Sequence, residues 1–314
     1  MLRKSVGTEH ESYNPRERIM KKVLLTTTAL VMTAGVAAAN PTFSGEIGVA
    51  MVDDNGKSGN GADMFVVSHY DLNVSLSAGS DNGVTVAAGF DMGSGNKIDY
   101  NDDDEIEAQG TAIGDADVAV SYAGWTLTVD QDGIDNLFDD SQSEDLSIAG
   151  SVAGLSVAFA SDMQNDTSSY KLGYTMGDLA LTFTGTNNDD AGGDATGISA
   201  AYTMGDLKIS ASMSDESNDA EDDTSVGVTY KMDALTISYT TIQPGSDADF
   251  GDEWDASIAY SAGAMSASFA IDEADATTMI AEYDMGGGAT AFAAMHDKAG
   301  EASDLTTFGI NFAF

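Results

Sequence analysis

Tyr174-Thr-Met-Gly-Asp-Leu179 returns letter for letter as Tyr202-Thr-Met-Gly-Asp-Leu207. Near-copies follow: Tyr-Lys-Met-Asp-Ala-Leu from Tyr230, Tyr-Ser-Ala-Gly-Ala-Met from Tyr260 and Tyr-Asp-Met-Gly-Gly-Gly from Tyr283, with an earlier relative, Tyr-Ala-Gly-Trp, from Tyr122. Successive tyrosines from Tyr174 onward stand 28, 28, 30 and 23 residues apart. A period of this length means one supersecondary unit used repeatedly. Each tyrosine ends an alternating segment, a short Gly turn follows, and a second alternating segment begins. The unit is a β-hairpin.

Successive side chains of a strand point to opposite faces. One face of 170–176 holds Tyr170, Leu172, Tyr174 and Met176, and the other holds Lys171, Gly173 and Thr175. After the turn, Leu179, Leu181 and Phe183 oppose Ala180, Thr182 and Thr184. The next two hairpins repeat the division, with Lys208 and Lys231 again on the small, polar side. Two architectures satisfy the pattern. A soluble sandwich buries the apolar face; a transmembrane barrel turns it to lipid and encloses water with the Ser/Thr/Gly/Lys face. Segments of roughly ten residues suit tilted membrane strands of about 9–11 residues. The tyrosines also sit at one depth, as an interfacial girdle requires. The sequence therefore predicts an all-β, transmembrane, antiparallel up-and-down barrel of 16–18 strands.

The expected strands lie near 42–52, 64–79, 83–91, 115–123, 125–130, 145–152, 154–161, 168–176 and 178–186, then 196–204, 206–214, 223–232, 234–242, 253–262, 264–271, 276–285, 288–296 and 304–314. That is 18, falling to 16 if 83–91 or 125–130 is not a strand of its own.

Met20-Lys-Lys, the apolar run 23–36 and Ala37-Ala38-Ala39 form the charged, apolar and small-residue regions of a secretory signal. The expected organisation is a leader over 1–19, a signal peptide over 20–39 with translation starting at Met20, and one barrel domain over 40–314. Removing 1–39 takes away six of the 12 basic residues and three of the 52 acids. Six Lys, no Arg and 49 acids remain, a net charge near −43. Nucleic acid, which needs basic patches, is excluded as a partner, and attraction of cations is expected. Acidity of this degree also suits a surface kept hydrated in salty water, where the field is screened to a few ångströms. No Cys is present, so no disulfide framework or thiolate site exists. Within 40–314 only His69 and His296 remain, without a ligand partner at metal spacing or a positioned base, so neither zinc nor Ser/His/Asp chemistry is expected.

The last segment places Phe308, Ile310, Phe312 and Phe314 on one face. With the signal peptide, the opening Pro41-Thr-Phe-Ser-Gly-Glu-Ile-Gly-Val strand, the short-turn hairpins, that aromatic end and the acidic stretch 130–145, residues 40–314 resemble the general diffusion porins of Gram-negative bacteria, particularly the alphaproteobacterial type. The resemblance implies a barrel of 16 or so strands, usually a homotrimer, passing small hydrophilic solutes and ions by passive diffusion. It implies outer-membrane lipid and lipopolysaccharide as surroundings, and barrel-assembly machinery that recognises Phe314.

The loops opposite the tyrosines are longer and acidic: 187–194, 215–223, 245–253, 272–275 and 297–304. At the outer mouth they would concentrate cations, and such carboxylate clusters suit Ca²⁺. Asp130-Gln-Asp-Gly-Ile-Asp-Asn-Leu-Phe-Asp-Asp-Ser-Gln-Ser-Glu-Asp145 is the expected constriction loop, against the alternative of an ordinary surface loop. Ile134, Leu137 and Phe138 would anchor one face of a short helical turn on the wall. Asp130, Asp132, Asp135, Asp139, Asp140, Glu144 and Asp145 would then line the pore. Residues 93–110, with Asp102-Asp-Asp-Glu105 and no apolar anchor, read as an outer loop. The resembled porins commonly set wall arginines against loop acids. Without Arg, the wall cations are Lys171, Lys208 and Lys231, near the tyrosine-side turns, and a largely acidic lumen is expected. The competing function is a secreted calcium-binding β-repeat surface protein, against which stands the absence of Gly-Gly-x-Gly-x-Asp nonapeptides.

Overall fold

Two-residue turns with positive φ join several of the neighbouring strands. Ala123-Gly124 and Ala153-Gly154 have positive φ at both positions, the type I′ signature. Gly177, Gly205 and Gly263 carry it at the first position only, as type II′ requires. Both twist with the strands they join, which fixes hairpin register. A computed structural model describes residues 40–53, 64–101, 105–109, 117–188, 193–216, 223–243, 253–297 and 305–314. The signal peptide and leader expected over 1–39 lie outside the described residues, as do most of the acidic outer loops.

The strands are β1 (Asn40–Asp53), β2 (Met64–Gly79), β3 (Thr85–Asp99), β4 (Glu105–Ala108), β5 (Asp117–Tyr122), β6 (Trp125–Asp135) and β7 (Gln142–Val152). Then come β8 (Leu155–Ser161), β9 (Thr167–Met176), β10 (Leu179–Asn188), β11 (Ala195–Met204), β12 (Leu207–Glu216) and β13 (Asp223–Met232). The rest are β14 (Leu235–Gln243), β15 (Glu253–Ala262), β16 (Met265–Asp272), β17 (Thr277–Gly286), β18 (Ala289–Asp297) and β19 (Leu305–Ala313). Each pairs antiparallel with its neighbour, and β1 pairs with β19 from Glu46↔Ala313 to Asp53↔Thr306. Gly45 and Phe314 exchange backbone hydrogen bonds of 3.1 Å at the seam. Closure leaves no open edge, the condition for strands in hydrocarbon. Eighteen strands form the ring, each matching an expected one; the four-residue β4 pairs only with the end of β3.

The facing follows from exposure. Ile198 is 52% exposed, Ile209 44% and Leu181 40%, and Phe43, Ile47 and Val49 are likewise open. Their alternates, such as Ser199, Thr182 and Glu46, point inward. Apolar side chains thus form the outer wall and hydroxyl-bearing ones the inner wall. The tyrosines Tyr174, Tyr202, Tyr230, Tyr260 and Tyr283 stand exposed on the outer wall beside the short turns.

Candidate functional site

Two segments leave the cylinder for its interior. The first joins β6 to β7. Their ladder is regular to Val129↔Leu146 and resumes, after a bulge, at Ile134↔Glu144, and such bulges redirect a strand. Asn136 is the hub of residues 136–141. Its Nδ2 donates to Glu144 Oε1 at 2.9 Å and to Thr186 Oγ1 at 3.1 Å, and its Oδ1 accepts the Phe138 N–H at 2.9 Å. Its backbone N–H donates to the Ser141 carbonyl and its carbonyl accepts from Asp140 N–H, at 2.7 and 2.9 Å. The Leu137 N–H donates to Ser169 Oγ at 2.9 Å. Ser169, Thr186 and Gly197 are inward positions on β9, β10 and β11, so the turn lies against that inner wall. Gly197 leaves the space: a Cβ there would sit 3.4 Å from the Phe138 ring. Leu137 and Phe138 make these contacts from a turn, whereas Ile134, expected beside them, belongs to β6.

The acids of 130–145 divide. Glu144, expected to line the pore, is fully buried; one oxygen takes Asn136 and, at 3.4 Å, the Ser169 hydroxyl, while Oε2 makes no hydrogen bond with any described residue. It pins the turn to the wall. Asp145, also expected to line the pore, borders a shallow cleft with Val129, Gln131 and Gln164. It accepts the backbone N–H of Asp132 at 3.1 Å and of Met163 at 2.8 Å, which draws Asp132 to the same rim. Carboxylate oxygens of Asp132, Asp145 and Asp162 lie within 4.8 Å of one another. The last is held below the ordinary carboxylate range by the N–H of Gln164 and by the donors of Asn165. These oxygens already close the loops, so the cluster is a structural rim before it is a cation site. Asp130 continues the inward series of Thr126 and Thr128, Asp135 and Asp139 are half-buried, and Asp140 is exposed. Asp139 caps its own turn by accepting the N–H and hydroxyl of Ser141.

The second segment corrects the sequence reading. The described residues of this stretch, 93–101 and 105–109, carry an apolar anchor and fold inside. β3 follows β2 as far as Gly95, where φ is +92°, and a side chain there would collide with the Ser68 carbonyl. Only glycine permits this departure. Beyond it, Asn96–Asp99 pair with β4 instead. Ile98 (3% exposed) and Tyr100 (6%) pack on Ala50, Val52, Val67, Phe292 and Ala294, all inward positions of β1, β2 and β18, with Ile106 beside them. The Tyr100 ring stacks on Phe292 at 4.1 Å, and its hydroxyl donates to Glu282 Oε1 at 2.9 Å; Ser266 Oγ donates to the other oxygen. Lys97 Nζ lies 3.5 Å from Glu46 Oε1, which also meets His69 Nε2 at 2.9 Å. The adjoining wall adds inward carboxylates: Asp71 opposite Glu46, Asp91 opposite Asn73 and Asp117 opposite Gly89. The alternation of Tyr70, Leu72 and Val74 already placed Asp71 and Asn73 inward, so that part was readable.

A closed β-ring with inward-folded segments and a polar interior can conduct. The chain matches the family of Gram-negative porins over residues 26–314. It belongs to that family. Among solved structures it resembles the porin of Rhodopseudomonas blastica, as a triple mutant at 18% identity, TM-score 0.57, with 88% of this chain and 100% of that chain covered. Two further variants of the same porin give 19% identity at the same TM-score and coverage. No curated protein matches. The chain is a multi-pass outer-membrane barrel of the porin kind.

In this porin the expected wall cations Lys171, Lys208 and Lys231 all occupy inward positions and are exposed there. Lys171 stands two residues below Ser169, just beneath the docked turn. Lys208 and Lys231 lie next to the tyrosine-side turns, below it. Both histidines among the described residues are inward: His69 meets Glu46, and His296 Nδ1 meets Thr278 Oγ1 at 2.8 Å.

Proposed function

We propose that this porin is a passive channel for small hydrophilic solutes that favours cations over anions. The observation that carries the reading is the inner wall, where Glu46, Asp71, Asp91 and Asp117 are lumen-side carboxylates and residues 40–314 contain no arginine. In a narrow polar pore such a wall raises the local cation concentration and repels anions. Asp130 and Asp135 on β6 and Asp139 and Asp140 of the docked turn add to that field, and Lys171 tempers it from below. Asp132, Glu144 and Asp145 act on the pore by holding the turn. The channel works as a homotrimer in lipid and lipopolysaccharide, assembled by machinery that recognises the aromatic row of β19. Residues 20–39 direct export, so mass spectrometry of the purified protein should give Asn40 as the first residue.

In planar bilayers across a tenfold KCl gradient, the dilute side should become positive, with potassium favoured over chloride by roughly fivefold or more at low salt. The preference should shrink as ionic strength rises, because the Debye length falls to about 3 Å at 1 M. A potential of opposite sign defeats the selectivity claim, and an absence of conductance defeats the channel claim.

A further inference from the structure

The docked turn at 136–141 occupies the wall of β9–β11, and the β3–β4 hairpin occupies the wall of β1, β2 and β17–β19. In the closed ring these walls stand on roughly opposite sides. From this we infer that the β3–β4 hairpin is a second constriction element, pinned by Tyr100, and that permeating ions pass between it and the docked turn. The inference rests on the channel reading above.

Three features separate this hairpin from a loop resting at the rim. Its apolar side chains form, with the wall, the one buried apolar cluster among the described residues. A barrel whose interior is otherwise hydroxylic and charged has no need of such a cluster except to hold something there. The wall facing it turns the large apolar side chains Val52, Val67 and Phe292 inward, beside Ala50 and Ala294, whereas the described inward positions of β10–β13 hold Ser, Thr, Gly, Ala, Lys and Asp. Polar contacts then fix its height, through Tyr100 on Glu282 and Lys97 on Glu46. Lys97 alternates with Ile98, and its side chain remains about one-third exposed, 35%, at the level of the wall carboxylates. It is therefore a cation inside the path, partnering the acidic wall.

The absence of cysteine makes the test direct. Lys97→Cys introduces the only thiol, and a methanethiosulfonate carrying a trimethylammonium group is added to open channels in a planar bilayer. Single-channel current should fall by roughly one third or more as the group enters the path, and return when a reducing agent removes it. A thiol that stays unmodified, or one shown by mass spectrometry to be modified while the current is unchanged, overturns the inference. In parallel, Tyr100→Ala should raise conductance by about 1.5-fold, while Tyr100→Phe, which keeps the stack on Phe292, should leave it within about a fifth of the parent. Equal currents in all three, from barrels with parental heat-modifiable migration, also overturn it. The parent channel separates the two levels. If it conducts and these variants do nothing, the hairpin's role fails and the porin reading stands. If the parent itself does not conduct, both fail.

Discussion

Ile198→Lys will abolish the folded barrel in outer membranes, while Ser199→Lys, one residue along, will assemble normally. Ile198 lies on the outer wall, 52% exposed to what in the membrane is hydrocarbon, and pairs with Phe183 and Met213. Its depth is set by its neighbours: Phe183 also pairs with Leu172, which lies between Tyr170 above and Tyr174 below. A lysine at the bilayer midplane costs about 2–4 kcal/mol, falling to about 0–1 near the interfaces. Leu181 and Ile209 pair with Tyr174 and Tyr202, at the girdle itself. Leu181→Lys and Ile209→Lys should accordingly weaken assembly less than Ile198→Lys. Ser199 pairs with Thr182 and Ser212 on the inner wall, where an ammonium stays in water. Ser199→Lys should therefore fold and reduce the cation preference. The measurement is the fraction of heat-modifiable barrel in purified outer membranes, followed by reversal potentials. Equal yields for Ile198→Lys and Ser199→Lys would contradict the facing of the entire wall.

That facing was legible because a period of two leaves no ambiguity once strands exceed seven or eight residues. Tyr170, Leu172, Tyr174 and Met176 cannot share a face with Lys171 in any other geometry. Turn chemistry added the register, since Gly-Asp after Tyr-Thr-Met selects a two-residue hairpin. The interior was less legible. The expected strand 83–91 stops just short of Met92-Gly-Ser-Gly-Asn, and β3 leaves the cylinder within that stretch. What the local pattern could not convey is that Gly95 turns the same strand inward rather than letting it stop. Ile98-x-Tyr100 was the available clue, an apolar alternation too short to stand out beside Asp102-Asp-Asp-Glu105. Glu144 failed for a different reason. A carboxylate in an acidic run is normally solvated, and its burial depends on Asn136 and Ser169, eight and 25 residues away. Pairings of that kind arise only when β6, β7 and β9 are closed into one wall.

Asn136→Ala should release the docked turn and change the channel more than any single acid in it. The side chain supplies a donor to Glu144, a donor to Thr186 and an acceptor to Phe138 N–H. A hydrogen bond to a charged group contributes about 1.5–3 kcal/mol, and its loss from a buried carboxylate exacts the desolvation cost as well. Glu144 is fully buried and its Oε2 makes no hydrogen bond with a described residue, so losing the Asn136 donor raises the cost of keeping it ionised in place. Either the turn lifts and water reaches the carboxylate, or the carboxylate takes up a proton. Lifting removes Leu137 and Phe138 from the wall, so single-channel current should rise by roughly half and flicker between levels, as a freed loop samples the lumen. Adding Glu144→Gln on the Asn136→Ala background distinguishes the two routes. A neutral amide has less to lose by burial, and the steady parental current should partly return. The single change Glu144→Gln should alter conductance little, because Asn136 and Ser169 can still bond to it. If Asn136→Ala gives a parental current trace and the same urea midpoint for barrel unfolding, the turn is held by its backbone and the Phe138 ring alone.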